Sequence, residues 1–427
     1  MSTWKGRDGM RKLAINGGEQ AAGELAVPPW PYVTDEDRKA VMEALESGQW
    51  CRLMIPNSRA EAFETAYAQY HDAKHAIVVS NGTVAIELAL IAGGVRPGDE
   101  VLVPAVTFIA SASAIVRVGA IPIFVDSDPE TLSVAASAVE AAITSRTRAI
   151  LAVHYGGYPV DLDALLPIVE KHDLLLIEDC AHAQGTEWRN RKVGSYGHFG
   201  TFSFQNSKAL TSGEGGVVLI NDDSLYRDTL LYGNIGRDWS QPGYDHCVLA
   251  SNYRLPELTA ALLRSQLNRL QEQVEQRMRA GNILGEGLKS IGGVKPLKAD
   301  LRITQRGYYF MVLRYDRSQF ADVPVSRFIE ALRAEGVPCS SGYGMPLYRQ
   351  PAFGREHVAD LLGRKIDEVP DYPNLFLPVA EHFCTEEQIT IPHPVLLADR
   401  DGVEAVLETV LKVKTHAEEL SEQQALS

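Results

Sequence analysis

AIVVSNGTVAIELALIAGGVRPGDEVLVP, residues 76–104, alternates two kinds of segment. AIVVS (76–80) and EVLVP (100–104) are short apolar runs rich in β-branched residues, and NGTVAIELALIAGGV between them reads as a turn followed by an amphipathic helix. The rhythm continues through IPIFVD (121–126), AILAVH (149–154) and LLLIED (174–179), with helical spacing around 107–118 and in LDALLPIVEKHD. Continuous apolar runs separated by helices indicate strands that are mainly parallel and covered on both faces, hence a three-layer α/β domain. Such a sheet binds its ligand beyond the carboxyl ends of its strands. That rule singles out Asn81-Gly82-Thr83, Thr107-Phe108, His154 and Asp179.

The pattern changes near residue 252. RLPELTAALLRSQLNRLQEQVEQRMRAGNILGEGL is one long helical stretch, with Pro256 suited to its start. Beyond it come a strand candidate, YYFMVLRY (308–315), the helix SRFIEALRAEG (326–336), a helical end near 402–420 and a polar tail. The expected organisation is an amino-terminal segment (1–30), a large domain (31–255) and a smaller α+β domain (256–427).

Composition narrows the class. With 427 residues and 45% hydrophobic content the chain can build a substantial core. A formal charge of -14 argues against nucleic acid as the main partner, because phosphate backbones need a basic face. The cysteines, at 51, 180, 247, 339 and 384, are scattered without metal-ligand spacing and read as free thiols in a reducing cytosol, so no metal is expected. The opening MSTWKGRDGMRKLAING lacks a signal-peptide core, and no stretch is apolar enough to span a bilayer, so the expectation is a cytoplasmic protein without a membrane partner.

The chemistry concentrates in FGTFSFQNSKALTSGEGGVVLIND (199–222). Two apolar runs flank a hydroxyl-rich turn holding Lys208, and the glycines after it let the chain double back. Lysine is usually a solvated charge, but in a dry pocket its pKa falls and it becomes a neutral amine nucleophile. Asp179 ends a strand and needs a cationic partner to stay ionised there; taken singly it also reads as a helix cap or a salt-bridged acid. Ser80–Thr83 joins a strand to a helix whose first amides suit an anion, and Ser203 and Ser207 could add donors. Phe108 could stack on a flat ring or simply fill the core. Together these describe pyridoxal 5′-phosphate (PLP): a phosphate, a ring nitrogen that wants a carboxylate, and an aldehyde that wants a lysine.

Five motifs in order, SNGTVAIELAL (80–90), PAVTFIASA (104–112), IEDCAHAQG (177–185), GTFSFQNSKALTSGEGG (200–216) and SNYRLPEL (251–258), resemble the DegT/StrS group of sugar and cyclitol aminotransferases, which are fold-type I PLP enzymes. The resemblance runs from about Trp30 to His393. It implies that Lys208 forms the Schiff base and shuttles the proton, that Asp179 pairs with the pyridinium, and that His182 lies near the ring hydroxyl. It further implies phosphate contacts from Gly82, Thr83 and Ser203, stacking by Phe108, and a homodimer in which Asn252 reaches the neighbouring subunit's phosphate. Pyridoxamine 5′-phosphate would be the intermediate form of the cofactor. A lysine at 208, where a sugar-dehydrating sister branch has histidine, favours transamination.

WPYVTDEDRKAVMEALESGQWCRL (30–53) and IPHPVLLAD (391–399) look more like enzymes acting on keto-cyclitols and aminohydroxybenzoate-type rings than on nucleotide sugars. The implied donor is L-glutamine, or L-glutamate, and the implied setting is aminocyclitol or amino-sugar antibiotic biosynthesis. His393 and Tyr343 are acceptor-side candidates, and Arg254 is a candidate for a substrate carboxylate or for a structural ion pair. A nucleotide-ketosugar aminotransferase, or a non-catalytic PLP-binding sensor on the same fold, are the alternative readings.

Overall fold

The computed structural model describes residues 12–23, 25–52, 58–238 and 243–422. Residues 1–11 of the amino-terminal stretch, Leu53 of the 30–53 motif and residues 423–427 of the polar tail lie outside the described residues.

The five apolar runs are strands β1 (His75–Val79), β2 (Glu100–Pro104), β3 (Ile121–Val125), β4 (Thr147–Val153) and β5 (Leu175–Asp179). A two-strand ribbon follows, β6 (Glu187–Trp188) and β7 (Arg191–Lys192), then β8 (Phe199–Ser203) and β9 (Gly216–Ile220). The main sheet has the order β1-β9-β8-β5-β4-β2-β3. β2, β3, β4, β5 and β8 pair in parallel. β9 is antiparallel to both β8 and β1, so it alone is reversed and β1 runs with the rest.

Both faces are buried, which is why the strands read as unbroken apolar runs. Alternation divides the side chains between two cores. Ile77, Val79, Val101, Val103, Ile177, Val218 and Ile220 enter one; Val78, Leu102, Leu176, Val217 and Leu219 enter the other. The first core is covered by the helices Gly82–Ala92 and Ala110–Arg117, and the second by the helix Arg59–Tyr70 and the start of the long helix Glu257–Ile291.

That long helix serves two cores. Ala260, Leu263, Leu267, Leu270 and Val274 pack under the main sheet. Ala280, Leu284 and Leu288 pack in a third core with the sheet of β10 (Val294–Pro296), β12 (Phe310–Tyr315) and β13 (Gln388–Pro392). β11 (Ile303–Gln305) joins the β6–β7 ribbon. The helices Val325–Ala334 and Arg400–Thr415 complete the third core, and Leu13 from the amino-terminal segment is buried in it. Leu347, Tyr348, Phe353, Tyr372 and Phe383 pack back on the first core.

Candidate active site

The carboxyl ends of β1, β2, β4, β5 and β8 surround a cavity of about 650 Å³. Gly82, Thr83, Phe108, Asp179, His182, Ser203, Ser207, Lys208 and Tyr343 all line it.

Strand alternation aims the acid. Asp179 lies on the face of Ile177, toward the cavity, while Glu178 lies on the face of Leu176. Asp179 is 6% exposed. Its Oδ2 accepts from Ser111 Oγ at 2.8 Å, and its Oδ1 accepts from the Ala181 amide at 3.1 Å. Thr107 Oγ1 lies 3.0 Å from Ser111 Oγ and extends the chain. Burial raises the carboxyl above its ordinary range, and those hydrogen bonds with the charge of Lys208 only partly offset it.

Lys208 is largely withdrawn from water, at 8% exposed. Burial lowers its amine to about 8, against the opposing pull of Asp179. Near neutral pH a larger share of such amines is neutral than of an ordinary lysine. Distant segments hold the turn. Trp30 Nε1 donates to the Lys208 carbonyl at 3.1 Å, Gln184 Nε2 donates to the Ser203 carbonyl at 2.8 Å, and His393 Nε2 donates to the Ser207 carbonyl at 3.0 Å.

At the other end, the helix Gly82–Ala92 begins against β8. A Cβ on Gly82 would stand 2.7 Å from Ser203 Cβ, so only glycine permits this approach. Asn81 Oδ1 caps the Val84 amide at 3.0 Å. The amides of Gly82 and Thr83 have no intrahelical acceptor and start at the cavity wall. Ser203 Oγ accepts from the Gln205 amide at 3.3 Å, which leaves its hydroxyl hydrogen free to donate. This cradle suits an anion at one end, with the acid and the lysine beyond it.

His182 is buried, and burial together with Lys208 pushes it well below the ordinary histidine range. Its Nδ1 accepts from the Gly156 amide at 3.3 Å, so the neutral ring carries its proton on Nε2, 3.3 Å from Tyr343 Oη. Phe108 is 50% exposed at the cavity wall, 5.7 Å from the Tyr343 ring.

Four candidates do not line this chain's cavity. His393 is buried behind the lysine turn, where it supports Ser207 rather than facing an acceptor. Asn252 is exposed and bridges Asn234, and Arg254 donates to the Asn234 side chain. His154 is fully buried and pairs with Glu178. Sequence reasoning singled out Thr107 as a strand-end residue and passed over Ser111, Gln184, Trp30 and Tyr309. Ser111 and Gln184 sit inside quoted motifs, one helical turn after Thr107 and two residues after His182, so their spacing offered a clue. Trp30 and Tyr309 meet Lys208 only through the fold.

A buried amine near neutrality, set against a buried acid and an anion cradle, serves one kind of chemistry. With this sheet it defines a fold-type I, PLP-dependent aminotransferase. The chain belongs to the DegT/DnrJ/EryC1/StrS aminotransferase family, whose model matches residues 31–396. It is 37% identical over 429 residues to an L-glutamine:2-deoxy-scyllo-inosose aminotransferase of Micromonospora echinospora, covering 96% of this chain and 100% of that protein. It is 39% identical over 391 residues to a 3-amino-5-hydroxybenzoate synthase of Amycolatopsis mediterranei, covering 90% of this chain and 96% of the relative. The crystal structure of a 3-amino-5-hydroxybenzoic acid synthase superposes with a TM-score of 0.80 at 34% identity, over 92% of this chain and all of that one. No helix among the described residues is long and apolar enough to cross a membrane.

Proposed function

We propose that this enzyme moves an amino group from L-glutamine, or L-glutamate, to the ketone of a cyclitol ring. The observation that carries the reading is the placement of Lys208 and Asp179 on one cavity with the anion cradle of Gly82, Thr83 and Ser203. The relative that aminates 2-deoxy-scyllo-inosose supports the choice of acceptor and donor.

PLP, when bound, supplies an aldehyde carbon that carries the amino group and a protonated ring that draws electrons from it. Gly82 and Thr83 present amides, and Ser203 a hydroxyl, to its phosphate. Asp179 holds the proton on the ring nitrogen, and that cation resolves the cost of the buried carboxylate. Phe108 covers a ring face. His182 Nε2, now 3.3 Å from Tyr343 Oη, would turn its hydrogen to the ring hydroxyl, with Tyr343 on the acceptor side. Lys208 Nζ would hold the aldehyde carbon and, when free, would carry a proton between the donor's α-carbon and the cofactor carbon, as base and then acid.

Asn252 and Arg254 belong to the same proposal as contributions to a partner subunit's site in a homodimer, toward the phosphate and a substrate carboxylate. Their position outside their own cavity supports this. A cofactor-binding body over 31–255 and a smaller part over 256–427, joined by the long helix, are part of the same proposal.

A nucleotide-ketosugar acceptor fits less well: among the described residues Lys208 is the only lysine or arginine lining this chain's own cavity, and the Arg254 proposed from a partner subunit would add one cation for a diphosphate. The retained lysine and acid disfavour a non-catalytic sensor. Incubation with glutamine and either a keto-inositol or a nucleotide ketosugar, with the amine product read by mass spectrometry, tests the reading. Amine on the inositol alone is expected. Amine on the nucleotide sugar alone, or on neither, would overturn it.

A further inference from the structure

Lys208 Nζ lies 4.1 Å from the centroid of the Tyr309 ring. Tyr309 comes from another sheet, one residue before β12. The same ring stacks on His182, with centroids 4.4 Å apart and planes 20° apart. Its hydroxyl shares a 2.8 Å hydrogen bond with Ser207 Oγ, beside the lysine. Its carbonyl accepts from the His393 amide at 3.1 Å, and His393 in turn donates to the Ser207 carbonyl. Tyr309 is thus fixed to the lysine turn by ring, hydroxyl and backbone at once.

We propose that Tyr309 is the positioning residue for Lys208: its ring face holds the side-chain nitrogen whenever that nitrogen is not bonded to the cofactor. This rests on the reading of Lys208 as the Schiff-base lysine. A lysine released by the donor amine is a flexible four-carbon chain. To act as base and then acid it has to stay over the reacting carbons through both proton transfers. Among the described residues Nζ makes no hydrogen bond; the ring and the charge of Asp179 are what it has. An aromatic face attracts an ammonium without taking its proton, so the nitrogen is held but not consumed. His182, buried and neutral on the same ring, adds no competing charge.

Burial and the ring act on the amine in opposite senses: burial favours the neutral form, the ring face the charged form. The other titratable groups that act on Nζ or line its cavity are Asp179, His182, His393, Tyr343 and Glu214, and the variants below leave all five in place. The experiment uses cofactor-free protein. Brief acetylation across a pH series, with the extent at Lys208 read by peptide mass spectrometry, gives the amine's pKa. Tyr309→Phe keeps the ring and loses only the hydroxyl tie, so Lys208 is expected to titrate near the wild-type value. Tyr309→Leu removes the ring face and keeps the site dry, so the pKa is expected to fall by about one pH unit.

A pKa that rises toward the ordinary lysine value in Tyr309→Leu would show that the tyrosine only shields the amine from water, and would overturn the proposal. So would no change, or an equal shift in Tyr309→Phe. Because no turnover is read, a failure here is distinct from a failure of the aminotransferase reading, which would appear as absent amine transfer with these shifts intact.

Discussion

Glu178 and Asp179 are neighbours on β5, both buried, and they point to opposite faces of one sheet. Behind the sheet, Glu178 is saturated. Its Oε1 accepts from the amides of Tyr196 and Gly197 at 2.8 and 2.7 Å, and its Oε2 from Gly194 and His154 Nε2 at 2.9 and 3.0 Å. His154 Nδ1 accepts from the Val160 amide, which fixes the proton on Nε2. Burial pushes Glu178 up, yet His154 and these amides outweigh it and leave the carboxyl below its ordinary value. In front, Asp179 has two donors and sits above its ordinary value. A fully partnered buried acid fastens the fold; a half-partnered one awaits a ligand. The same contrast bears on the trio His154, Glu178 and Cys180, whose ligand atoms lie within 4.8 Å of one another. The lone pairs of Glu178 are already taken by N–H donors, so the trio reads as a fastening.

The comparison breaks if the two acids can be exchanged in effect. Asp179→Asn keeps the shape but cannot hold the ring-nitrogen proton, so amine transfer should fall on the order of 10³-fold, with the melting temperature unchanged or raised because a costly buried charge is gone. Transfer within tenfold of wild type would place Asp179 among the structural acids. Glu178→Gln should do the reverse. Either orientation of the amide turns an NH₂ toward two N–H donors, and the loss should be about 3–5 kcal/mol of stability, measured by denaturant unfolding, with transfer per folded molecule changed only a few-fold.

His71 offers a smaller, pH-dependent term on the rear face. Burial first, and Lys192 second, lower it to about 3. The unfolded chain takes up that proton near pH 6.5 and the folded protein does not, so this contribution is complete above 6.5 and is lost as pH falls from there toward 3. His71→Phe, packed against Phe202 and Tyr67, should flatten the fall in stability between pH 6.5 and 4. An unchanged slope would assign that fall to other groups. The smallest effect is expected from Ser111→Ala, which removes one of the two donors to Asp179. PLP affinity should drop by about 1–2 kcal/mol, read by fluorescence titration, with the fold intact.

Much of the front face was legible in sequence. Alternation of runs and helices gave β1 to β5, and the rule of carboxyl ends led to Gly82, Thr83, Phe108 and Asp179 before any coordinate. The strand order was not legible: β9 has the composition of any buried strand, and only its pairing shows that it is reversed and inserted between β1 and β8. The helix Arg59–Tyr70 escaped notice because alanines interrupt its apolar face. The 347–384 region is short helical turns rich in proline, with no period to read. His393 was an acceptor-side candidate on the resemblance of IPHPVLLAD, and its bond to the Ser207 carbonyl behind the lysine turn is a contact no local spacing shows. Trp30 and Tyr309 depend on contacts across the whole chain.

The central claim is a covalent bond between Lys208 and PLP opposite Asp179. Purified protein saturated with PLP should absorb in the visible, lose that band on borohydride reduction, and yield one pyridoxyl-bearing peptide after proteolysis. The account predicts that this peptide carries its label on Lys208; a label on any other lysine, or none at saturating cofactor, would contradict it.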